Sequence, residues 1–348
     1  MKVSQFPDRI IEIDQEQYLY FGGTAYLGLS THKIFQELVV KNILRWGTTY
    51  GSSRNANVKV TAYDDGEAFL AQHIKAEAAL TVSSGMLAGK IVMDELNKET
   101  DCYFHFPNTH PAIKANNSLP VFTADKINPR LLDPKKEKIT ILTDGVPTYQ
   151  TKPIDLSVLK KIQNHKEITL VIDESHSLGI LGKNGCGIFS EIQLPIKRKI
   201  MVSSLGKAFG LTGGVIASDT LFINQIKKLD TFVSAAGMNP GFAQTLAEAS
   251  EIYQNQHQKL TQNLNYIDTR LIKNANIKFD KTYPLIYIEI DTITDILKAN
   301  KIIIANFRYQ ENSKDINRVV VTANHLKEDL DKIISILNEY NSKSKIVV

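Results

Sequence analysis

Cysteine is nearly absent from this chain: its 348 residues hold two, Cys102 and Cys186, with no paired spacing that would suggest a metal site or a disulfide framework. Long apolar runs are missing too. No segment approaches the roughly 18 consecutive apolar residues a membrane span needs, and the opening stretch MKVSQFPDRIIEIDQEQ carries charges in place of an apolar leader core. A cytoplasmic protein without membrane contact is the expectation. Charge of one sign is not in excess either. With 41 basic against 37 acidic residues the net charge is +4, too mild to argue for nucleic acid, although a slightly positive surface suits an anionic substrate. Internal repeats and low-complexity tracts are lacking, and the Lys135 to Lys138 charge run reads as a solvated loop. What remains is an ordinary globular composition, 43% apolar and 22% charged, in a chain long enough to bury a large core in two or three domains.

The informative stretch is Met201 to Asp219, MVSSLGKAFGLTGGVIASD. It holds one lysine, Lys207, behind an apolar lead-in, with Ser203, Ser204, Gly206, Gly210, Gly213 and Gly214 close by. Small residues around one amine describe a lysine at a strand end or tight turn, with open space near its nitrogen. A surface lysine in a glycine-rich loop is the plain alternative. A second stretch, Ile168 to Gly187, ITLVIDESHSLGILGKNGCG, shifts the balance. Ile168 to Ile172 is a continuous apolar and β-branched run, which predicts a buried parallel strand. Asp173 follows at its carboxyl end, where open α/β sheets place their ligand chemistry. A strand-end aspartate, His176 three residues on and a downstream lysine together match what pyridoxal phosphate needs. The carboxylate keeps the pyridine nitrogen protonated so that the ring acts as an electron sink, and the lysine amine condenses with the aldehyde.

These two linked motifs, DESHSLGILGKNGCG and SSLGKAFGLTGG, resemble those of the α-oxoamine synthases. That branch of the fold-type I pyridoxal-phosphate enzymes includes 8-amino-7-oxononanoate synthase, glycine C-acetyltransferase and serine palmitoyltransferase. The resemblance runs from about Tyr26, in the Tyr-Leu-Gly-Leu-Ser entry stretch, to the C-terminal helix. Gly51 to Arg54, GSSR, also resembles the family's glycine-serine-arginine loop. The chain departs from the pattern just after it: the family has a glycine four residues beyond the arginine and a histidine nine beyond, where this chain has Val58 and Tyr63.

Elsewhere the pattern supplies a scaffold for that chemistry. Helices are expected over about Lys33–Arg45 and Asp65–Lys75, then a short buried strand over Ala78–Val82. A small-residue turn from Ser83 to Gly89 leads to a helix from Lys90 to Asn97, and such a turn at a helix N-terminus is an anion site. The cofactor phosphate is assigned to the amides of Gly85 and Met86 with the Ser84 side chain assisting, a role compatible with plain helix capping by Ser83 or Ser84. Another strand over Lys138–Thr143 leads into Asp144-Gly145-Val146-Pro147-Thr148, whose composition turn chemistry accounts for by itself. A Rossmann dinucleotide site is a poor competitor, since no glycine fingerprint opens a helix in a strand-turn-helix setting. The stretch from Gly241 to Ala275 reads as one long amphipathic helix.

The resemblance implies further roles. His110, in an Asn-Thr-His-Pro-Ala context, would stack over the pyridine ring, while His105 is an ordinary strand residue. Thr148 would lie near the ring's phenolic oxygen, and His176 would bond that oxygen or sit against the imine. Ser204 would reach the phosphate, and Ser234, in the segment Asp230 to Pro240, would do so across a dimer interface. Arg308, ten residues before Arg318, would bind the substrate carboxylate through its planar fork.

The expected fold class is α/β: a fold-type I three-layer α/β/α domain with a mostly parallel sheet over residues 34–245, and a smaller α+β C-terminal domain over 246–348, preceded by an N-terminal arm over 1–33. The expected function is a homodimeric acyltransferase that condenses a small amino acid with an acyl-CoA, with decarboxylation, to an aminoketone. An aminotransferase on the same scaffold is the alternative. A non-catalytic relative would have lost the lysine or the ring-binding aspartate, and both Lys207 and Asp173 are present.

Overall fold

The computed structural model describes residues 1–162, 165–307 and 315–343, and the chain divides into two compact units. One comprises Met1–Lys33 with Glu251–Val348, the other Ile34–Ser250. The first opens with strands β1 (Ile10–Ile13) and β2 (Glu16–Phe21). The second runs through helices α1 (Lys33–Trp46) and α2 (Thr61–Ile74), strand β3 (Ala78–Val82), helix α3 (Gly85–Leu96) and strand β4 (Cys102–His105). Short strands β5 (Leu119–Pro120), β6 (Phe122–Thr123) and β7 (Lys126–Ile127) and helix α4 (Pro129–Leu132) come next. After them come the long strands β8 (Glu137–Asp144), β9 (Lys166–Asp173), β10 (Arg198–Ser204) and β11 (Gly214–Ser218). Helices α5 (Thr220–Ile226), α6 (Asp230–Val233) and α7 (Pro240–Glu248) close this unit. The chain then returns to the first with α8 (Ser250–Asp268), β12 (Ile277–Phe279), β13 (Leu285–Ile288), α9 (Ile293–Ala299), β14 (Ile302–Phe307), β15 (Ile316–Val320) and α10 (Lys327–Lys343).

The larger unit is built on a seven-stranded sheet in the order β3-β11-β10-β9-β8-β4-β5. From β10 to β5 every pairing is parallel, and β11 alone runs antiparallel to both its neighbours. The apolar run in β9 has a direct cause. Successive side chains point to opposite faces of a strand, and here both faces are covered: Ile168 and Leu170 join a core with Phe104, Ile139 and Leu159, while Val171 joins one with Ile91, Val202 and Phe222. Each such side chain, fully buried, contributes on the order of 2 kcal/mol. The smaller unit holds a mixed six-stranded sheet, β1-β2-β14-β15-β13-β12, parallel only between β2 and β14.

Three sequence expectations need correction. Helix α3 begins at Gly85, five residues before the expected start, so Gly85 and Met86 are its first helical residues and Ser84 is its N-cap. The small residues there serve close packing: a side chain at Gly89 would meet the Ala112 carbonyl oxygen at 2.6 Å. The expected long helix is two, α7 and α8, separated at Ala249. The charge run at Lys135 to Lys138 is not simply a solvated loop, because Glu137 and Lys138 open β8 and the Glu137 side chain is 1% exposed. Among the described residues no helix is long and apolar enough to cross a membrane, and no His, Cys, Asp and Glu cluster could hold a metal ion.

Candidate active site

The parallel strands end together, and their register fixes what stands at that edge. Asp173 is the last residue of β9 and pairs with Asp144, the last of β8, and with Val202 on β10. Ser204, at the end of β10, pairs with Gly214, which pairs in turn with Val82 at the end of β3. Three other predicted residues meet beside Asp173. Lys207 lies in the turn after β10, and its Nζ is 2.7 Å from Nε2 of His176, which sits in the turn after β9. Nδ1 of His110 lies 3.7 Å from Oδ2 of Asp173. The other Asp173 oxygen, Oδ1, accepts the Ser175 N–H at 2.9 Å, which holds the carboxylate toward the strand end. Burial pulls the His110 ring below its usual range, with Lys207 and Lys90 acting the same way and Asp173 opposing them. Its Nδ1 accepts the Ala112 N–H at 3.2 Å, so the neutral ring carries its proton on Nε2.

The α3 N-terminus reaches the same edge. Ser84 Oγ accepts the Leu87 N–H at 3.2 Å as the helix cap. No side chain fits at Gly85, where a Cβ would meet the Ser204 main chain at 2.8 Å, and one at Gly214 would collide with the Ser84 carbonyl. Ser204 is fixed in turn by its N–H, which donates to Ser175 Oγ at 2.8 Å, and its own Oγ accepts the Gly206 N–H at 3.2 Å. The first N–H groups of a helix have no partner within it, and with its dipole they make a cradle for an anion. An amine, a carboxylate, two imidazoles, hydroxyls and this cradle are a donor set that fits an aromatic aldehyde phosphate.

Thr148 is half-buried in the turn after β8, and Ser234 is exposed as the C-cap of α6. Arg308 lies outside the described residues. Val58 is 65% exposed, and its carbonyl accepts the Tyr50 hydroxyl at 2.8 Å. Tyr63 is instead buried at 4% exposed, its ring beneath the Arg54 guanidinium with 3.9 Å to the centroid. Arg54 pairs with the buried Glu67 at 2.9 Å and donates to the Thr81 carbonyl at 3.1 Å. The loop around Arg54 is stitched to the segment after α5 through main-chain carbonyls. Ser53 Oγ donates to Val233 O at 2.9 Å, Asn55 Nδ2 to Lys227 O at 2.7 Å and the Tyr63 hydroxyl to Met238 O at 2.7 Å.

Two acidic residues were not singled out from the sequence. Asp144 accepts the His110 N–H on Oδ1 at 3.0 Å. Glu174, fully buried, accepts the N–H groups of Ile188 and Phe189 at 2.8 and 2.7 Å and the Ser177 hydroxyl at 2.7 Å. Burial pushes its carboxyl up to about 7, and the glycine-rich loop closes over it: a side chain at Gly187 would strike the carboxylate. Both carried a readable signal, one ending an apolar strand as Asp173 does and the other following Asp173 directly.

The sheet order, with a lysine and an aspartate at its carboxyl edge, defines the class: the fold is that of the fold-type I transferases. Residues 19–337 match the family model for aminotransferase class I and II, and the chain belongs to that family. It is 25% identical over 357 residues to a putative 8-amino-7-oxononanoate synthase of Rippkaea orientalis, covering 97% of this chain and 93% of that one. To the 8-amino-7-oxononanoate synthase of Petrotoga mobilis it is 27% identical over 354 residues, covering 93% and 88%. Among solved structures, serine palmitoyltransferase of Sphingomonas wittichii superposes with a TM-score of 0.77 at 15% identity, covering 98% of this chain and 91% of that one. The 8-amino-7-oxononanoate synthase of Francisella tularensis gives 0.70 at 22%, covering 94% and 99%. The resemblance to the α-oxoamine synthases is borne out by these relatives.

Proposed function

We propose that this chain is a pyridoxal-phosphate-dependent acyltransferase of the α-oxoamine synthase type, joining a small amino acid to an acyl-CoA with loss of carbon dioxide to give an aminoketone. One observation carries the reading. The Lys207 amine, the Asp173 carboxylate and the imidazoles of His176 and His110 converge at one edge of the sheet, in a chain whose relatives match over nearly its whole length. Bound there, pyridoxal phosphate supplies an aldehyde for amines and a protonated ring that draws electrons from the substrate α-carbon.

Each residue has work that its position allows. Asp173 holds a proton on the ring nitrogen, fixed for that task by the Ser175 N–H. The amides of Gly85 and Met86, with the Ser84 and Ser204 hydroxyls, take the phosphate. His110 lies against the ring face and excludes water from it. Lys207, once its amine is free, takes the proton from the substrate α-carbon, and His176 orients that amine through its Nε2. Arg308 receives the substrate carboxylate, Thr148 lies toward the ring's phenolic oxygen, and Ser234 of a second copy approaches the phosphate. A cytoplasmic homodimer completes the reading.

The test is to add glycine, alanine and serine in turn to the pyridoxal-phosphate-loaded protein, alone and with a panel of acyl-CoAs, and to measure free thiol and carbon dioxide. Release of both with one pairing names the substrates. Conversion of a keto acid with no thiol released would overturn the acyltransferase reading in favour of transamination. A protein that binds no cofactor would overturn both.

A further inference from the structure

The proposed chemistry leaves one group at the strand ends without a task. Asp144 ends β8 as Asp173 ends β9, and the two are register partners. They cannot separate, because the Gly145 N–H donates to the Asp173 carbonyl at 2.8 Å and a side chain at Gly145 would meet Ser177 Oγ at 2.5 Å. Oδ1 of Asp144 reaches across to the turn after β4 and accepts the His110 main-chain N–H at 3.0 Å. The same turn sends the Ala112 N–H back to the His110 ring at Nδ1. Asp144 therefore fixes the peptide from which the ring hangs, and the ring's orientation follows.

The charged and titratable groups that face Asp144 come from three elements: Asp173 at the end of β9, Lys207 after β10 and His110 after β4. Two carboxylates on adjacent strand ends cannot both ionise at ordinary cost. Burial first and the Asp173 charge second push the Asp144 carboxyl up to about 8, against the pull of the His110 N–H and Lys207. A hydrogen bond from an amide needs only an acceptor oxygen, which the neutral acid keeps.

We infer that Asp144 is a positioning residue, which by accepting the His110 main-chain N–H holds the His110 imidazole against the cofactor ring. The inference rests on the proposed function. Its test compares D144N, D144A and D144S with the full-length wild type at pH 7, measuring pyridoxal phosphate affinity by absorbance titration and visible circular dichroism per bound cofactor. Asparagine keeps the acceptor. D144N is expected within about threefold of wild-type affinity with an unchanged dichroic band. D144A, lacking one hydrogen bond, is expected about tenfold weaker with an altered band. D144S, too short to reach the His110 N–H, stands in for D144A if that variant fails to fold. Asparagine as weak as alanine would overturn the acceptor role of Asp144, and alanine or serine indistinguishable from wild type would overturn positioning. A wild type that binds no pyridoxal phosphate overturns the functional reading itself, whatever the order of the variants.

Discussion

Strands β8 and β9 begin and end on charged register pairs, and the two ends are built on opposite principles. At the amino end Glu137 faces Lys166, and at the carboxyl end, roughly 23 Å away along eight-residue strands, Asp144 faces Asp173. The amino end is saturated with opposite charge. Glu137 takes Arg130 and Lys166 at 2.8 Å and Lys135 at 2.9 Å, and Lys166 also reaches Asp133 at 2.6 Å. Bonds from Arg130, Lys166 and Lys135 hold the Glu137 carboxyl down at about 2. At the other end burial and a like charge raise Asp144 to about 8. One end of the same ladder is satisfied and inert, while the other is held in tension by neighbours a bound molecule could relieve. Tension of this kind is common at sites that perform chemistry.

The largest effect that would sharpen this contrast is on turnover. Replacing Lys207 with alanine should lower the rate of thiol release by about a thousandfold or more, with thermal unfolding of the cofactor-free protein nearly unchanged. An active alanine variant would remove Lys207 from the chemistry. At the saturated end the balance reverses. Lys166→Met removes one of the three cations on the buried Glu137 carboxylate and should cost about 2 kcal/mol of stability in urea unfolding, with pyridoxal phosphate affinity unaltered. A loss of affinity equal to the loss of stability would show that the two ends are not independent.

Acid should act first on the same pair. Because the Glu137 carboxyl sits at about 2 when folded against 4.5 as its ordinary value, its contribution is complete above pH 4.5 and is lost as pH falls toward 2. Glu137→Gln should flatten that part of the stability profile, and a profile as steep as wild type would refute the assignment. The smallest effect is a gain. Asp144 binds its proton more tightly folded than unfolded, 3.8 being its ordinary value, so the wild type loses stability as pH climbs from about 4 to 8. Asp144→Asn, which cannot ionise, should unfold about 2–5 °C higher at pH 7.5 and show no gain near pH 4. A gain that persists in acid would have another origin.

Much of this was legible in the chain because parallel strands covered on both faces must be apolar throughout. Ile168 to Ile172 announced β9, and with it the place of Asp173, while the further site roles came from the resemblance of the two motifs to a known family. What stayed hidden depends on contacts remote in sequence. Asp144 reads as a turn residue until its partner, an amide 34 positions earlier, is seen. The glycines and serines of Ser83 to Gly89 read as a turn, yet they open α3 because the Ser204 and Ala112 main chains crowd it. Tyr63 was visible only as a departure from a family histidine. Its burial under Arg54 and its bond to the Met238 carbonyl give it a packing role that no local pattern reveals.

The stitching of the Arg54 loop has a consequence for how such a protein can change over generations. Ser53, Asn55 and Tyr63 all donate to carbonyls of Val233, Lys227 and Met238, and a carbonyl is the same whatever residue bears it. The donors are constrained in identity and the receivers in backbone position alone. Positions 227, 233 and 238 are thus free, as far as these bonds go, to exchange side chains while the loop keeps its place. New preferences could accumulate on that segment without loosening the framework that presents it.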